Sequence, residues 1–344
     1  MTLGYNKDGF LKLPTPLERL EGISRDTGVD FWIKRDDLTD PGMGGNKLRK
    51  LEYFIHDALD KKSTVLITTG APQTNHGRLT AAVAAKYGMK CAIVSIADHS
   101  GEISGNILLD RIMGAEVFIK RPEPGISDGS LLSETLAKIT RNYENQGEKV
   151  YFVPMGGSSE LGILGYYDCA KELALQIKNK DINVPKIFCA VGSMGTYMGL
   201  FCGIKNENIQ MDLTGIAIAP FSSEPAVWAR GYFERIKGFY GNRIKISASE
   251  KDFDINHDWT YGAYNNPVSE VREAIYYMAR REAIILDPCY TGKTFNGILK
   301  MIDSGLIDKN QTVIFIHTGG NPGINSLPHR AEMESDLKAG FKIF

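Results

Sequence analysis

The features that this sequence lacks exclude several classes of protein. No stretch approaches the roughly eighteen consecutive apolar residues that a membrane-spanning helix needs, and residues 1–20 contain no apolar segment typical of a secretion signal. The net charge is only -1, so no broad basic surface is expected for nucleic acid or an anionic membrane. We therefore expect a cytoplasmic globular protein that binds neither.

Cysteine is sparse, and the spacing of the cysteines fits neither a disulfide framework nor a zinc site. The five cysteines lie at positions 91, 169, 189, 202 and 289, and no two of them form a Cys-x-x-Cys pair. An odd number, mostly inside apolar runs, indicates reduced buried thiols rather than disulfides or a zinc site. The six histidines are scattered along the chain, so we expect no metal site.

The order of apolar runs predicts the fold class. The chain has 344 residues, 43% of them hydrophobic, which suits about two domains. Short β-branched runs alternate with longer helical stretches, and these runs do not alternate with polar residues. This pattern predicts two α/β lobes with parallel sheets, covered on both faces and sharing a cleft. The predicted strands are 30–36, 64–70, 90–96, 115–120, 149–154, 186–191, 213–219, 283–287 and 312–318. The predicted helices include 75–87, 105–113, 128–146, 160–179, 196–206, 267–281 and 293–304.

One lysine has an unusual position. Lys47 follows a Gly-Gly-Asn turn and stands at the start of a predicted helix in "PGMGGNKLRKLEYF". A helix N-terminus favours anions, so a cation there either points into solvent or functions as a neutral amine. In a cleft its pKa would be lowered, as an imine-forming lysine requires.

Polar and small residues follow several predicted strands, where ligands of parallel sheets bind. "GAPQTNHGR" presents Thr74 and Asn75 at a helix start, to hold an oxygen-bearing ligand or simply to cap the helix. The small-residue turn at 192–196 would either cradle a phosphate or only pack closely. It matches neither dinucleotide nor ATP motifs. Tyr290 would either stack on a flat ring or pack under its loop, and Thr318 offers a hydroxyl. Together with the amine of Lys47, these features describe pyridoxal phosphate.

Eight motifs occur in order along nearly the whole chain: "LPTPLERL", "KRDDLT", "GGNKLRKLE", "TTGAPQTNHGR", "GGSSELGILGY", "GSMGTYMGL", "LDPCYTGK" and "HTGG". With them the chain resembles the D-cysteine desulfhydrase and 1-aminocyclopropane-1-carboxylate (ACC) deaminase group of fold-type II pyridoxal-phosphate enzymes, which are relatives of the tryptophan synthase β subunit. The resemblance implies a homodimer with the cofactor in a cleft between two parallel-sheet α/β domains. The large cofactor-binding domain would comprise residues 1–50 and 161–344, and the small domain residues 51–160.

The resemblance also implies residue roles. Lys47 would bond covalently to the cofactor and act as the first catalytic base, and Asn75 would contact the pyridoxal 3′-oxygen. Tyr290 would stack on the ring and assist catalysis, while the hydroxyl of Thr318 would meet the pyridine nitrogen. The expected phosphate-binding residues are Gly192, Ser193, Met194, Gly195 and Thr196. The expected substrate-binding residues are Thr74, Asn75, His76 and either Tyr261 or Tyr264.

Some positions depart from the family pattern. Thr74, a candidate proton carrier, stands where serine is usual, and Met194 where desulfhydrases commonly have glycine. Thr291 follows the active-site tyrosine, where ACC deaminases carry glutamate. "YGAYNNP" is longer than the usual Tyr-Gly-x-Pro, so Tyr261 and Tyr264 both fit the place of a second family tyrosine.

The expected function is β-elimination from a small amino acid, most simply D-cysteine to pyruvate, ammonia and hydrogen sulfide. The alternatives within the family are an ACC deaminase, a lyase that eliminates sulfite from cysteate, and an amino acid racemase. A non-catalytic ligand-binding protein of the same fold is the alternative from another class. The presence of Lys47, Asn75 and Tyr290 argues against it.

Overall fold

Residues 1–343 are described by a computed structural model; Phe344, the last residue of the expected large domain, lies outside the described residues. Within this range the chain forms two β-sheets flanked by helices. The strands are β1 (Leu17–Arg19), β2 (Asp30–Lys34), β3 (Val65–Thr69), β4 (Lys90–Ile96), β5 (Glu116–Lys120), β6 (Val150–Val153), β7 (Lys186–Val191), β8 (Asp212–Ala217), β9 (Ile255–Asn256) and β10 (Thr312–Ile316). The helices are α1 (Glu21–Thr27), α2 (Lys47–Asp60), α3 (Asn75–Lys86), α4 (Gly105–Ile112), α5 (Asp128–Asn145), α6 (Leu164–Asn179), α7 (Gly195–Asn206), α8 (Pro225–Tyr240), α9 (Ser269–Glu282), α10 (Thr291–Asp303) and α11 (Leu327–Leu337).

The larger sheet has the strand order β1-β2-β10-β7-β8-β9. Its strands run parallel except β1, which pairs antiparallel with β2 at the edge. Apolar residues of β7 and β10 are buried, with helices on both faces of the sheet. The prediction of parallel α/β sheets from continuous apolar runs is therefore confirmed.

The smaller sheet has the order β5-β4-β3-β6 and is parallel throughout. All of its strands lie between residues 65 and 153, inside the 51–160 range expected for the small domain. Every residue of β3 is buried, because α2 and α3 pack on one face and α5 on the other. Helix α2 also packs against α6. This contact between two helices joins the two sheets.

The predicted strand at 283–287 is wrong. Ala283 ends α9 with a left-handed φ of 56°, and the residues after it form no strand within the described chain. The carbonyl of Ile285 pairs with the His317 ring at 3.0 Å instead of with a neighbouring strand. The side chain of Leu286 is still fully buried, which explains the strand-like apolar pattern.

The sequence patterns also missed several elements. Strands β1 and β9 are three and two residues long. They are too short to show the residue pattern by which a strand is predicted. Helices α1, α8 and α11 were not predicted, although α8 extends over sixteen residues. In the part of the chain that the structure describes, no helix is both long and apolar enough to cross a membrane.

Candidate active site

Helix α2 begins at Lys47 because the preceding loop has an unusual backbone. Residues 42–45 all have positive φ angles, of 60°, 66°, 68° and 134°. Glycine is required at position 44, since a Cβ there would lie 2.1 Å from the carbonyl oxygen of Asp37. The loop therefore turns sharply and presents Lys47 at the first helical position.

Hydrogen bonds fix this loop to two other segments. The guanidinium of Arg78, on α3, donates to the carbonyls of Gly42 and Gly44. The backbone N–H of Asn46 donates to the carbonyl of Thr318 at 3.0 Å, and its Nδ2 donates to Thr196 Oγ1 at 2.9 Å. Lys47 is thereby held between the end of β10 and the turn before α7.

The orientation of α2 is set by a buried ionic cluster. Arg49, between the two lysines of "KLRK", donates through Nε and Nη2 to the carboxylate of Asp36, both at 2.8 Å. It also donates through Nη1 to Glu172 Oε2 at 2.9 Å. Arg49 points away from the cavity and Lys47 toward it, so these bidentate contacts fix which helix face meets the ligand.

The side chain of Lys47 is 8% exposed. Burial lowers its pKa to about 8, and a contact with Lys50 opposes this in part. The direction is the one expected from the sequence, and its main cause is the loss of hydration on burial. At pH 7 about a tenth of the amine is therefore neutral and nucleophilic, far more than for a lysine of ordinary pKa.

Lys47 opens into a cavity of about 350 Å³ between the two sheets. The carboxyl ends of β3, β6, β7 and β8 border it, as expected for a ligand site of parallel sheets. The lining brings together seven of the residues proposed from the sequence: Lys47, Thr74, His76, Gly192, Ser193, Tyr264 and Tyr290. Asn75, Met194, Gly195, Thr196, Tyr261 and Thr318 lie outside this lining.

The structure places only one of the two alternative tyrosines at the cavity. The hydroxyl of Tyr264 lies 2.5 Å from that of Tyr290, and the rings meet edge to face at 5.6 Å. The hydroxyl of Tyr261 instead accepts from Asn296 Nδ2, and its ring packs in the core of the larger sheet. Tyr264 is therefore the tyrosine that can face a substrate.

The turn at 192–196 has the form of an anion cradle. Its backbone leads into α7, whose first N–H groups have no partner within the helix. A Cβ at Gly195 would lie 2.4 Å from Ser158 Oγ and 2.7 Å from Lys50 Nζ, so glycine allows a hydroxyl and an amine to approach closely. Met194 occupies a left-handed conformation with φ 59°, which explains why glycine is common at this position.

Lys50 was missed by the sequence reasoning. Its side chain is fully buried, and Nζ donates to the carbonyl of Gly156 at 3.1 Å. Burial, and then the charge of Lys47, hold the pKa of Lys50 well below its usual range. A buried lysine with so little compensation fits the phosphate of pyridoxal phosphate. Its i+3 spacing from Lys47, on the same helix face, was the signal that could have found it.

Asn75 is oriented by a neighbour that the sequence did not single out. Asn106 Nδ2, on α4, donates to Asn75 Oδ1 at 2.9 Å and to the carbonyl of Gln73 at 2.8 Å. Since the oxygen of the Asn75 amide is taken, its Nδ2 is the group left to donate. A donor is what a pyridoxal 3′-oxygen needs.

Replacing Asn106 with aspartate tests this orientation. The carboxylate would repel Asn75 Oδ1 and turn the amide, so its oxygen would face the ligand. We expect the apparent affinity for pyridoxal phosphate to fall about tenfold, the effect of one hydrogen bond of about 1.4 kcal/mol. Titration followed by cofactor absorbance measures this, with Asn208→Asp at an exposed turn as the control of equal charge. Equal affinities in both variants would contradict the orientation.

His76 is neutral and has a fixed tautomer. The hydroxyl of Thr68 donates to the carbonyl of Val153 at 2.8 Å, so it accepts from His76 Nε2 at 2.9 Å. Burial, with the charges of Lys47 and Lys50, holds the pKa of His76 well below its usual range. His76 therefore supplies no positive charge to a substrate carboxylate, whereas the first backbone N–H groups of α3 can donate to it.

Of the two candidates Thr74 and Asn75, Thr74 is the N-cap residue of α3. Its Oγ1 accepts from the N–H of Gly77 at 3.3 Å, and its side chain is 6% exposed. Because the oxygen is used as an acceptor, the O–H hydrogen remains to be donated into the cavity.

Comparison with known proteins supports the same cofactor. A family model described as "Pyridoxal-phosphate dependent enzyme" matches residues 10–319. The chain is 36% identical over 310 residues to the "Putative 1-aminocyclopropane-1-carboxylate deaminase" of Pyrococcus abyssi, covering 90% of each protein. It is 35% identical over 334 residues to the D-cysteine desulfhydrase of Yersinia enterocolitica, covering 94% of this chain and 98% of that one.

A similar solved structure is a crystal structure described as an ACC deaminase homologue. It aligns with a TM-score of 0.84 and 34% identity over 97% of each chain. The family model thus names the cofactor, and the curated relatives carry two different substrate names.

Proposed function

The chain belongs to the pyridoxal-phosphate-dependent enzyme family, within the group of ACC deaminases and D-cysteine desulfhydrases, and from this premise we propose that it desulfurates D-cysteine. Pyridoxal phosphate is the cofactor. The proposed reaction consumes D-cysteine and water and releases pyruvate, ammonia and hydrogen sulfide. The family resemblance also supports a cytoplasmic homodimer as part of this proposal.

The observation that carries the choice of a desulfhydrase is the environment of Thr291. This residue is fully buried; its hydroxyl donates to Asp287 Oδ1 at 2.7 Å and accepts from the N–H of Asp287 at 2.7 Å. A short hydroxyl thus fills the place where ACC deaminases carry glutamate, and no carboxylate from this position reaches a ligand. The arrangement supports elimination rather than cyclopropane opening.

The charges at the cavity favour a substrate that carries a thiol over a substrate that carries a second anionic group. Among the described residues that line it, Lys47 is the one with a basic side chain of lysine or arginine type, and His76 is neutral. A sulfonate or a second carboxylate would enter without a cation of its own, which is costly in a partly buried site. Cysteate therefore fits less well than cysteine.

When bound, pyridoxal phosphate supplies an aldehyde for the substrate amine and a ring that accepts the electron pair released at Cα. The neutral amine of Lys47 can take the Cα proton, because its pKa of about 8 keeps it available as a base near neutral pH. Thr74 holds an O–H on the side of the cavity formed by α3.

The tyrosine pair can supply a second proton. One hydroxyl of Tyr264 and Tyr290 donates to the other, so one O–H of the pair is left for a ligand. Burial raises the pKa of both phenols, which keeps them protonated. The pair can thus donate to a leaving sulfur as the carbon–sulfur bond breaks.

A product screen tests the proposed function. The holoenzyme is given D- and L-cysteine, D- and L-cysteate, ACC and D- and L-serine separately, and pyruvate, 2-oxobutyrate, sulfide and sulfite are measured. We expect D-cysteine to give pyruvate and sulfide in equal amounts, with a kcat/KM at least about tenfold above any other substrate. Faster release of 2-oxobutyrate from ACC, or of sulfite from cysteate, would replace this proposal by the corresponding activity.

A further inference from the structure

A buried lysine of α10 contacts the cavity wall from behind. Lys293 is fully buried, and its Nζ donates to the carbonyls of Ile218 at 2.7 Å, Thr260 at 2.9 Å and Ala263 at 2.7 Å. An ammonium has three N–H donors, and each of them meets one backbone oxygen. The contacts are therefore complete only in the charged form.

These three carbonyls belong to two separate segments of the chain. Ile218 follows β8 and lines the cavity itself, while Thr260 and Ala263 lie in the connection that carries Tyr264. Residues 257–268 contain no helix or strand, so no regular backbone ladder holds them. Lys293 joins this irregular connection to the end of a strand of the larger sheet.

The backbone of the connection is strained where Lys293 holds it. Tyr261 has φ 55° and Gly262 has φ 76°, and a bulky residue with positive φ needs surrounding contacts to keep it there. Those residues lie between Thr260 and Ala263, the two residues of the connection whose carbonyls Lys293 binds. The ammonium thus fixes both ends of the turn that directs Tyr264 toward the cavity.

The partner of Tyr264 is held by a buried charge of opposite sign. Asp287 Oδ2 accepts from the N–H groups of Cys289 at 3.0 Å and Tyr290 at 2.9 Å. The thiol of Cys289 in turn contacts the carbonyl of Tyr264 at 2.7 Å. Asp287 therefore positions Tyr290, and the contacts of Lys293 bring Tyr264 to within 2.5 Å of it.

We propose that Lys293 is a positioning residue for the substrate: it acts through Tyr264, by fixing the connection at 257–268 against the end of β8. The inference rests on the proposed function in one respect only, that the tyrosine pair faces the substrate. It makes the connection, whose sequence is longer than the family pattern, the segment that shapes the substrate side of the cavity.

The test begins with a readout that does not depend on turnover. In the holoenzyme, Lys293→Met should raise amide hydrogen exchange in residues 257–268 and leave exchange in α2 unchanged. Cofactor absorbance should stay as in the parent. Lys300→Met, an exposed lysine on the same helix, is the matched control and should change neither. Unchanged exchange in 257–268 would overturn the proposal even if the enzyme desulfurates D-cysteine.

A double-mutant cycle then separates positioning from general destabilisation. With D-cysteine, or with the best substrate of the product screen, Lys293→Met and Tyr264→Phe should each lower kcat/KM by about 10²-fold. The double variant should lie within about threefold of the worse single variant, because both changes remove the same contribution. Additive losses, or a parent-like Tyr264→Phe, would contradict the proposal.

A second substitution protects the test against misfolding. If Lys293→Met is not recovered as folded holoenzyme, Lys293→Gln keeps two N–H donors for the three carbonyls and should give the same changes with smaller amplitude. Absence of turnover in the parent would refute the proposed substrate, while the exchange experiment would still decide the role of Lys293.

Discussion

Lys47→Ala should produce a folded protein that no longer bonds covalently to pyridoxal phosphate. The variant loses the buried amine that must react with the cofactor aldehyde and the base placed at the cavity. We expect kcat/KM for the best substrate to fall by at least about 10⁴-fold, and borohydride treatment followed by mass spectrometry should find no cofactor attached to residue 47. The apoprotein should unfold at a temperature no lower than the parent, because removing a buried lysine with a lowered pKa offsets the packing that is lost with its side chain.

The control for this variant is Lys47→Arg, which keeps a cation but has no reactive amine. It should be as inactive as the alanine variant. Activity in either variant above a few per cent of the parent, or trapping of the cofactor on another lysine, would contradict the assignment.

The same lysine should determine how cofactor capture depends on pH. The pKa of the Lys47 amine is about 8, so about half of the amine is neutral and nucleophilic at pH 8. For a lysine of ordinary pKa the neutral fraction at pH 8 is roughly 0.3%. The rate at which parent apoprotein captures pyridoxal phosphate should therefore rise as pH increases through 8 and then level off. A rise that continues toward pH 10 would show an unperturbed amine.

Lys50→Met should have opposite effects on cofactor binding and on apoprotein stability. The variant loses a buried amine beside the turn at 192–196 that a bound phosphate would keep protonated, so the affinity for pyridoxal phosphate should fall by about 10²-fold, as expected for a charged hydrogen bond of up to about 3 kcal/mol. Unphosphorylated pyridoxal is the control ligand, and its affinity should be nearly the same in variant and parent. Equal losses for both ligands would exclude a phosphate contact.

The apoprotein of this variant should unfold at a higher temperature than the parent. The pKa of Lys50 in the folded protein lies below its unfolded value of 10.5, so at any pH below 10.5 the lysine destabilises the fold. Methionine removes this penalty and fills similar space. The stabilisation should be present at pH 7 and should decrease as pH rises toward 10.5; a lower melting temperature at pH 7 would contradict it.

The fold class could be predicted because continuous apolar runs have few alternatives in a chain of this size. The end of β3 and the cap at Thr74 were also readable, since a strand, a turn and an N-cap residue follow each other directly. The strand expected at 283–287 failed for a physical reason: Leu286 is buried by side chains, while the backbone of Ile285 pairs with a histidine ring. A short apolar segment looks the same in the sequence whether it forms a strand or is buried without forming one.

The candidate site was predictable where residues lie close in the motifs and less so where it depends on distant contacts. Lys47 could be selected from its position after a glycine-rich turn. The choice between Tyr261 and Tyr264 could not be made, because it depends on a left-handed turn and on the distant Lys293 and Asn296. Lys50 and Asn106 were overlooked since each acts on a group that only the folded chain brings near.

The two sides of the cavity come from segments that do not overlap. The reactive amine and the anion cradle belong to α2 and the turn before α7, which are bound to each other through Asn46. The tyrosine side belongs to the connection at 257–268, which carries Tyr264, and to the loop before α10, which carries Tyr290. A laboratory-evolution library confined to that connection would therefore explore new leaving groups while every clone retains its prosthetic group, and selection would act on substrate choice alone.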